Sequence, residues 1–119
     1  MSENIVSGKD FLDKIVTVKM DRPLGTAHPK HGFIYEVNYG YIPNTVSGDG
    51  EELDVYLLGV DEPVTEYSAK IIGISHREDD VEDKLVAAPE GKHYTKEDME
   101  HRIYFQERYY DSYVEPLEY

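Results

Sequence analysis

The chain has 119 residues, enough for one domain that buries about two-thirds of its extended-chain surface, so residues 1–119 are expected to fold as a single unit. It has no cysteine, which excludes disulfides, thiolate zinc sites and cysteine nucleophiles. Its net charge of -13, from 25 acidic against 12 basic residues, argues against docking on a nucleic-acid backbone or an anionic membrane.

Met1-Ser2-Glu3-Asn4 lacks the basic and apolar regions of a secretory signal, and no apolar run approaches membrane-spanning length. A cytoplasmic location is the expectation. Ile15 to Met20 alternates β-branched and polar residues and predicts a strand, which Asp21-Arg22-Pro23-Leu24-Gly25 ends. A loop with Pro23, Gly25 and Pro29 runs on to Lys30, long enough to be functional. Further strands are expected from Phe33 to Tyr39, from Asp54 to Val60, from Ser68 to His76 with both faces buried, and from Lys84 to Ala88.

The period then changes. Thr95 with Asp98 three residues later has the form of a capping box, and Met99, Ile103, Gln106 and Tyr110 fall on one face of a helix expected from Lys96 to Tyr110. Short strands followed by one helix make the chain mainly β, a small and mostly antiparallel barrel with a C-terminal helix packed on it.

Two acidic segments carry the chemistry. Asp49-Gly50-Glu51-Glu52-Leu53-Asp54 spaces carboxylates so that Asp49, Glu51 and Asp54 can converge from a turn into a strand. Carboxylate oxygens suit Mg²⁺ or Ca²⁺, whereas the bland alternative is a solvated Asp-Gly turn. The second segment, His76 to Lys84, reads alone as a solvated loop. At the rim of a small barrel, however, Asp79 and Asp83 can face the first cluster, and a divalent ion relieves the repulsion among such acids.

Phosphate oxygens left uncovered by metal call for cations, for which Arg22, Lys30 and Lys84 are the candidates and Arg108 a weaker one. The five histidines have no zinc-binding spacing and are read as structural or exposed. Phosphate-binding glycine loops and the serine nucleophile elbow are missing, which lowers the nucleotide-binding and serine-hydrolase readings.

Tyr35-x-x-Asn38-Tyr39-Gly40-Tyr41-Ile42-Pro43-Asn44-Thr45, then Asp49 to Val55, then Asp83-Lys84-Leu85-Val86-Ala87-Ala88-Pro89 form three linked blocks. In this order they resemble the soluble inorganic pyrophosphatases of the single-domain, magnesium-dependent type, from about Ile34 to Pro89. The resemblance implies a five-stranded OB-like barrel, Mg²⁺ as cofactor, diphosphate as substrate and a homo-oligomer. It implies metal ligands at Asp49, Glu51, Asp54, Asp79 and Asp83, although the family spacing to Lys84 falls on Glu82. It also implies catalytic roles for Asp54, Tyr39 and Lys84, and substrate contacts from Tyr35, Tyr39, Lys84 and Tyr109, with Arg22 and Lys30 substituting by position.

Several residues depart from the family pattern. Glu51 and Glu52 replace an Asp and a Pro, Tyr110 stands where the family has a phosphate-binding Lys, and the short Arg22 to His31 loop takes the place of a hairpin carrying a Lys, a Glu and an Arg. Asp21 is the stand-in for an early family Glu. These departures leave three readings: diphosphate hydrolysis, hydrolysis of another phosphoanhydride or a phosphate ester, and a non-catalytic metal- or phosphate-binding module.

Overall fold

A computed structural model describes residues 8–45, 52–78 and 83–117. After a 3₁₀ turn at Gly8–Phe11 come β1 (Ile15–Arg22), β2 (Asn38–Tyr41), β3 (Asp54–Leu57), β4 (Glu66–Arg77), β5 (Lys84–Ala88), α1 (Lys96–Glu107) and β6 (Ser112–Pro116). The sheet runs β1-β2-β3-β5-β4-β6, and an added pairing of β1 with β4 closes the first five of these strands into a barrel. β3 and β5 are parallel, and every other pair is antiparallel.

Alternation along the strands sorts the apolar residues into two cores. Val55, Leu57, Leu85 and Ala87 join Val18, Ile71 and Ile74 inside the barrel. The residues between them, Tyr56, Leu58, Val86 and Ala88, face outward and pack with Ile72 against Met99, Ile103 and Phe105 of α1 and Val114 of β6. β5 is buried along its whole length because the helix covers its outer face. Gly73 makes room for this packing, since a Cβ there would lie 2.8 Å from Met99 Sδ.

Two bulges break the alternation. In β4, register shifts between Ile71 and Gly73, so Ile71 and Ile74 both point into the barrel. Beyond the bulge, Ser75 and Arg77 face α1, and His76 faces the other way toward Tyr113 and Glu115. In β1 the shift falls between Met20 and Arg22.

The sequence expectations hold for the barrel, for the strands starting at Ile15 and Lys84, and for the helix start, where Thr95 and Asp98 form both capping-box bonds. Phe33 to Val37 is not a strand, and only Ala27 and Ile34 bridge there. β3 stops at Leu57, two residues before Gly59 at φ 79°. α1 ends at Glu107, short of Tyr110, and β6 is an additional strand. Val114 in β6 donates its N–H to Glu100 of α1 at 3.0 Å.

Among the described residues, no helix is long and apolar enough to cross a membrane.

Candidate active site

Asp21, Arg22, His28, Tyr35, Tyr39, Asp54, Arg77, Lys84, Gln106 and Tyr110 line one cavity of about 260 Å³. In a regular strand, neighbours point to opposite faces, yet Asp21 and Arg22 both reach this cavity. The β1 bulge accounts for it by re-aiming one of the pair. Opposite the bulge stands Gly40, where a Cβ would lie 1.9 Å from the Lys19 carbonyl oxygen.

Asn38 ties down the loop that follows Arg22. Its Oδ1 accepts from the N–H groups of Leu24 and Val64 at 2.9 and 3.2 Å, and its Nδ2 donates to the carbonyls of Val60 and Glu62 at 3.3 and 2.9 Å. One buried amide thereby ties together the loops after β1 and after β3. Thr45 does similar work farther along, donating to Ile42 O at 2.6 Å and accepting from Leu53 N at 3.0 Å, which holds Thr45 and Leu53 together beside Asp54.

Lys84 Nζ donates to Asp54 Oδ2 at 2.5 Å. Burial raises the Asp21 pKa above the usual carboxylate value, and the charge of Asp54 adds to the effect, although the strand's own N–H opposes it. Two carboxylates lining one cavity, the ionisation of Asp21 disfavoured by burial and by the charge of Asp54, are the donor set a hard divalent ion satisfies. Among the described residues no three potential ligands cluster tightly enough to hold an ion alone. Asp49, Glu51, Asp79 and Glu82 lie outside the described residues.

On the helix side, a buried chain of hydrogen bonds begins with Tyr35, whose hydroxyl donates to Gln106 Oε1 at 2.5 Å. Gln106 Nε2 donates to the Tyr56 hydroxyl at 2.7 Å, and that hydroxyl donates to Glu107 Oε2 at 2.5 Å. Ser75 Oγ donates to Glu107 Oε1 at 3.0 Å. Arg77 completes the carboxylate's shell in bidentate fashion, through Nε at 3.1 Å and Nη2 at 2.5 Å. Its guanidinium carbon lies 3.7 Å from the centre of the Tyr110 ring.

Burial works to keep Glu107 protonated, but the Arg77 bonds and charge outweigh it and hold its pKa below the usual value. Burial likewise disfavours charge on Arg77, and Glu107 overcomes it, so the pair is ionised. Burial pushes the Tyr35 phenol up to about 12. Tyr56 is raised well beyond its usual value, by burial first and then by the charge of Glu107. Both phenols are neutral donors at physiological pH.

Of the residues singled out by sequence, Arg22, Tyr35, Tyr39, Asp54 and Lys84 converge on the cavity. Three others stand elsewhere. Asp83 lies 3.2 Å from His76 Nδ1 and does not line the cavity, because His76 projects from the far face of β4. Lys30 is exposed on a turn whose backbone, with that of His31, donates to His28 Nδ1. Tyr109 is off the cavity and stacks on His31 and Phe33, with ring centres 4.8 and 5.6 Å apart, because the helix ends before it.

Arg77, Gln106 and His28 enter the site from outside the sequence candidates. The signal for Arg77 was its two-residue spacing from Ser75 at the end of an apolar strand. It was hidden by the acidic run that follows. His28, read as structural or exposed, lines the cavity, and its Nδ1 accepts two backbone bonds, so its neutral ring carries the proton on Nε2. Burial and the neighbouring His31, Arg22 and Lys30 lower its pKa.

A closed five-stranded barrel with one packed helix and a charged cavity at its wall is an OB-like fold. The inorganic pyrophosphatase family model matches residues 10–114, and the chain belongs to that family. It is 39% identical over 96 residues to an inorganic pyrophosphatase of Saccharolobus solfataricus, covering 77% of this chain and 52% of that protein. It is 34% identical over 107 residues to soluble inorganic pyrophosphatase 1 of Arabidopsis thaliana, covering 81% and 48%. The chain thus spans about half the length of these curated relatives.

In structure it is similar to an inorganic pyrophosphatase from Ehrlichia chaffeensis, with a TM-score of 0.69 over 96% of this chain and 93% of that one at 20% identity. A Neisseria gonorrhoeae inorganic pyrophosphatase aligns at 28% identity and a TM-score of 0.52, over 67% and 58% of the two chains.

Proposed function

We propose that the protein hydrolyses inorganic diphosphate to two phosphates in a reaction that depends on Mg²⁺. The observation that carries this reading is the cavity itself, where Asp21 and Asp54 sit among Arg22, Lys84, Tyr35 and Tyr39 in a member of the inorganic pyrophosphatase family. Asp54 and Asp21 would hold the metal, joined by Asp49, Glu51 and Asp79, which the family resemblance nominates. When bound, the ion supplies positive charge beside the reacting phosphates and acidifies water.

The chain's own residues do the rest. Arg22 and Lys84 offset the charge that gathers on the leaving phosphate, Arg22 through a planar fork and Lys84 as a point charge. Lys84 is already held against Asp54, so its ammonium needs little reorganisation when an anion arrives. Tyr39 offers a phenol to a phosphate oxygen, and Tyr35, fixed by Gln106, shapes the pocket behind it.

The cysteine-free composition suits a reducing cytoplasm. Association between copies of the chain is part of the proposal, and the exposed Ile15, Ile34, Tyr104 and Tyr113 are apolar side chains it would cover.

Phosphate release from diphosphate with pure protein and Mg²⁺ is the test. Turnover above an Asp54→Ala control is expected, and none above it refutes the proposal. A parallel panel of nucleotides and polyphosphate separates diphosphate hydrolysis from action on a larger phosphoanhydride.

A further inference from the structure

We propose that Arg77 is a substrate-binding residue that contacts a phosphate oxygen of diphosphate, and that Glu107 is the positioning residue that aims it. The proposal rests on the diphosphate reading of the cavity. Arg77 lines that cavity although it arrives from the far end of β4, and the β4 bulge is what turns it and Ser75 to the helix side. Without the register shift, strict alternation from Ile71 would send Arg77 to the barrel interior.

The Arg77 side chain is only 5% exposed, and that of Glu107 only 4%. Burying an ion pair this deeply has a large desolvation cost, and an apolar pair of similar volume is often as stable or more so. An ion pair kept at a cavity wall is accounted for if one member also serves the cavity. Glu107 shares its negative charge among four donors, two of them from the neutral hydroxyls of Tyr56 and Ser75. The bidentate bond and the Tyr110 ring 3.7 Å away together fix the guanidinium plane.

The charge count at the cavity points the same way. The chain carries -13 overall, yet the described cavity lining has three cationic side chains, Arg22, Arg77 and Lys84, against two acidic ones, Asp21 and Asp54. Lys84 is engaged by Asp54. Removing Arg77 would therefore leave Arg22 and Lys84, the latter shared with Asp54, as the cations for an entering phosphate, aside from any metal.

The test compares the parent with an Arg77→Gln/Glu107→Gln double variant, which removes both charges without stranding either, and with the same variant carrying Tyr110→Lys. Tyr110 lines the cavity beside Arg77, so a lysine there returns a cation to the same wall. The readouts are kcat and KM for diphosphate with Mg²⁺, and the Kd of inorganic phosphate by calorimetry. The double variant is expected to raise KM and Kd roughly tenfold or more, and Tyr110→Lys to recover part of the loss.

A phosphate Kd equal to the parent's in the double variant overturns the proposal. If the parent binds phosphate but turns over no diphosphate, hydrolysis is refuted and the Kd comparison still decides the role of Arg77. If the double variant does not fold, Arg77→Lys decides, because it keeps a charge beside Glu107 and loses the planar fork. It is expected to weaken phosphate binding several-fold, and an unchanged Kd overturns the proposal.

Discussion

Asp54 and Lys84 hold equivalent places on neighbouring parallel strands, each one residue before the paired Val55 and Leu85, and their side chains meet at 2.5 Å. Parallel register thus delivers an acid and a base to the cavity side by side. The Lys84 side chain is 6% exposed and the Asp54 side chain 25%, so the lysine depends more on its partner. Asp54→Ala takes the Asp54 carboxylate away from a buried ammonium and is expected to cost ~3–5 kcal/mol in urea unfolding. Asp54→Asn retains an acceptor and should cost clearly less. Both should lower diphosphate turnover by about a hundredfold or more, and an Asn variant with parental turnover would remove Asp54 from the metal site.

Gly40→Ala should be among the most damaging single-methyl changes in the chain. The new Cβ meets backbone atoms of Lys19 and Met20, which cannot move without opening the β1–β2 pairing behind Asp21 and Arg22. A loss of more than ~3 kcal/mol is expected. Gly25→Ala is the control, since it has open space around it and only a φ of 91° to pay with, about 1–2 kcal/mol. Urea midpoints of the two variants should rank in that order.

Asn38→Ala removes two acceptor bonds and two donor bonds, leaving the N–H groups of Leu24 and Val64 to find other partners. A cost of ~2–4 kcal/mol is expected from partly buried groups losing their hydrogen bonds. Because the loop it anchors begins just after Arg22, the variant should also raise KM for diphosphate more than it lowers kcat. Equal stability in parent and variant would show that the loops do not rely on this amide.

Acid should loosen the helix side of the site. Glu107 has a folded pKa below its ordinary value of 4.5, so its pairing lends stability that is fully present above the unfolded pKa and is lost as pH falls through the folded one. Unfolding free energy measured between about pH 6 and about pH 3 should decline with a slope that Glu107→Gln reduces. A variant slope matching the parent's would assign the acid sensitivity to other carboxylates.

Local signals in the sequence were enough for the barrel and the start of the helix, because alternation in Ile15 to Met20 and the Thr95–Asp98 box are short-range and self-sufficient. They misread Phe33 to Val37, where Tyr35 and Val37 are buried as a strand's would be, but by a loop whose rings meet Phe105 edge-on and stack on Tyr39. At the site, Asp54, Lys84 and the tyrosines stood in contiguous blocks and were legible. Arg77 and Glu107 are 30 residues apart and meet only because a bulge changes the face of β4. No local pattern records such a meeting. Asp83 was read through the same segment, and the choice of face made by His76 took it away from the cavity.

The bond from Val114 to Glu100 bears on how copies of this chain can meet. Each of the five barrel strands pairs with a neighbour on both sides, so among the described residues β6, which pairs only with β4, is the strand with an open outer side. Leu117 N–H donates inward to Ile72, so by alternation the amide positions of Pro116 and Val114 face away from β4. Proline has no N–H to offer, and Glu100 occupies that of Val114. A second chain seeking to extend the sheet there finds two of the three outward donor positions of β6, 114 and 116, without a free N–H, which disfavours edge-to-edge growth of the sheet and points self-association to side-chain surfaces.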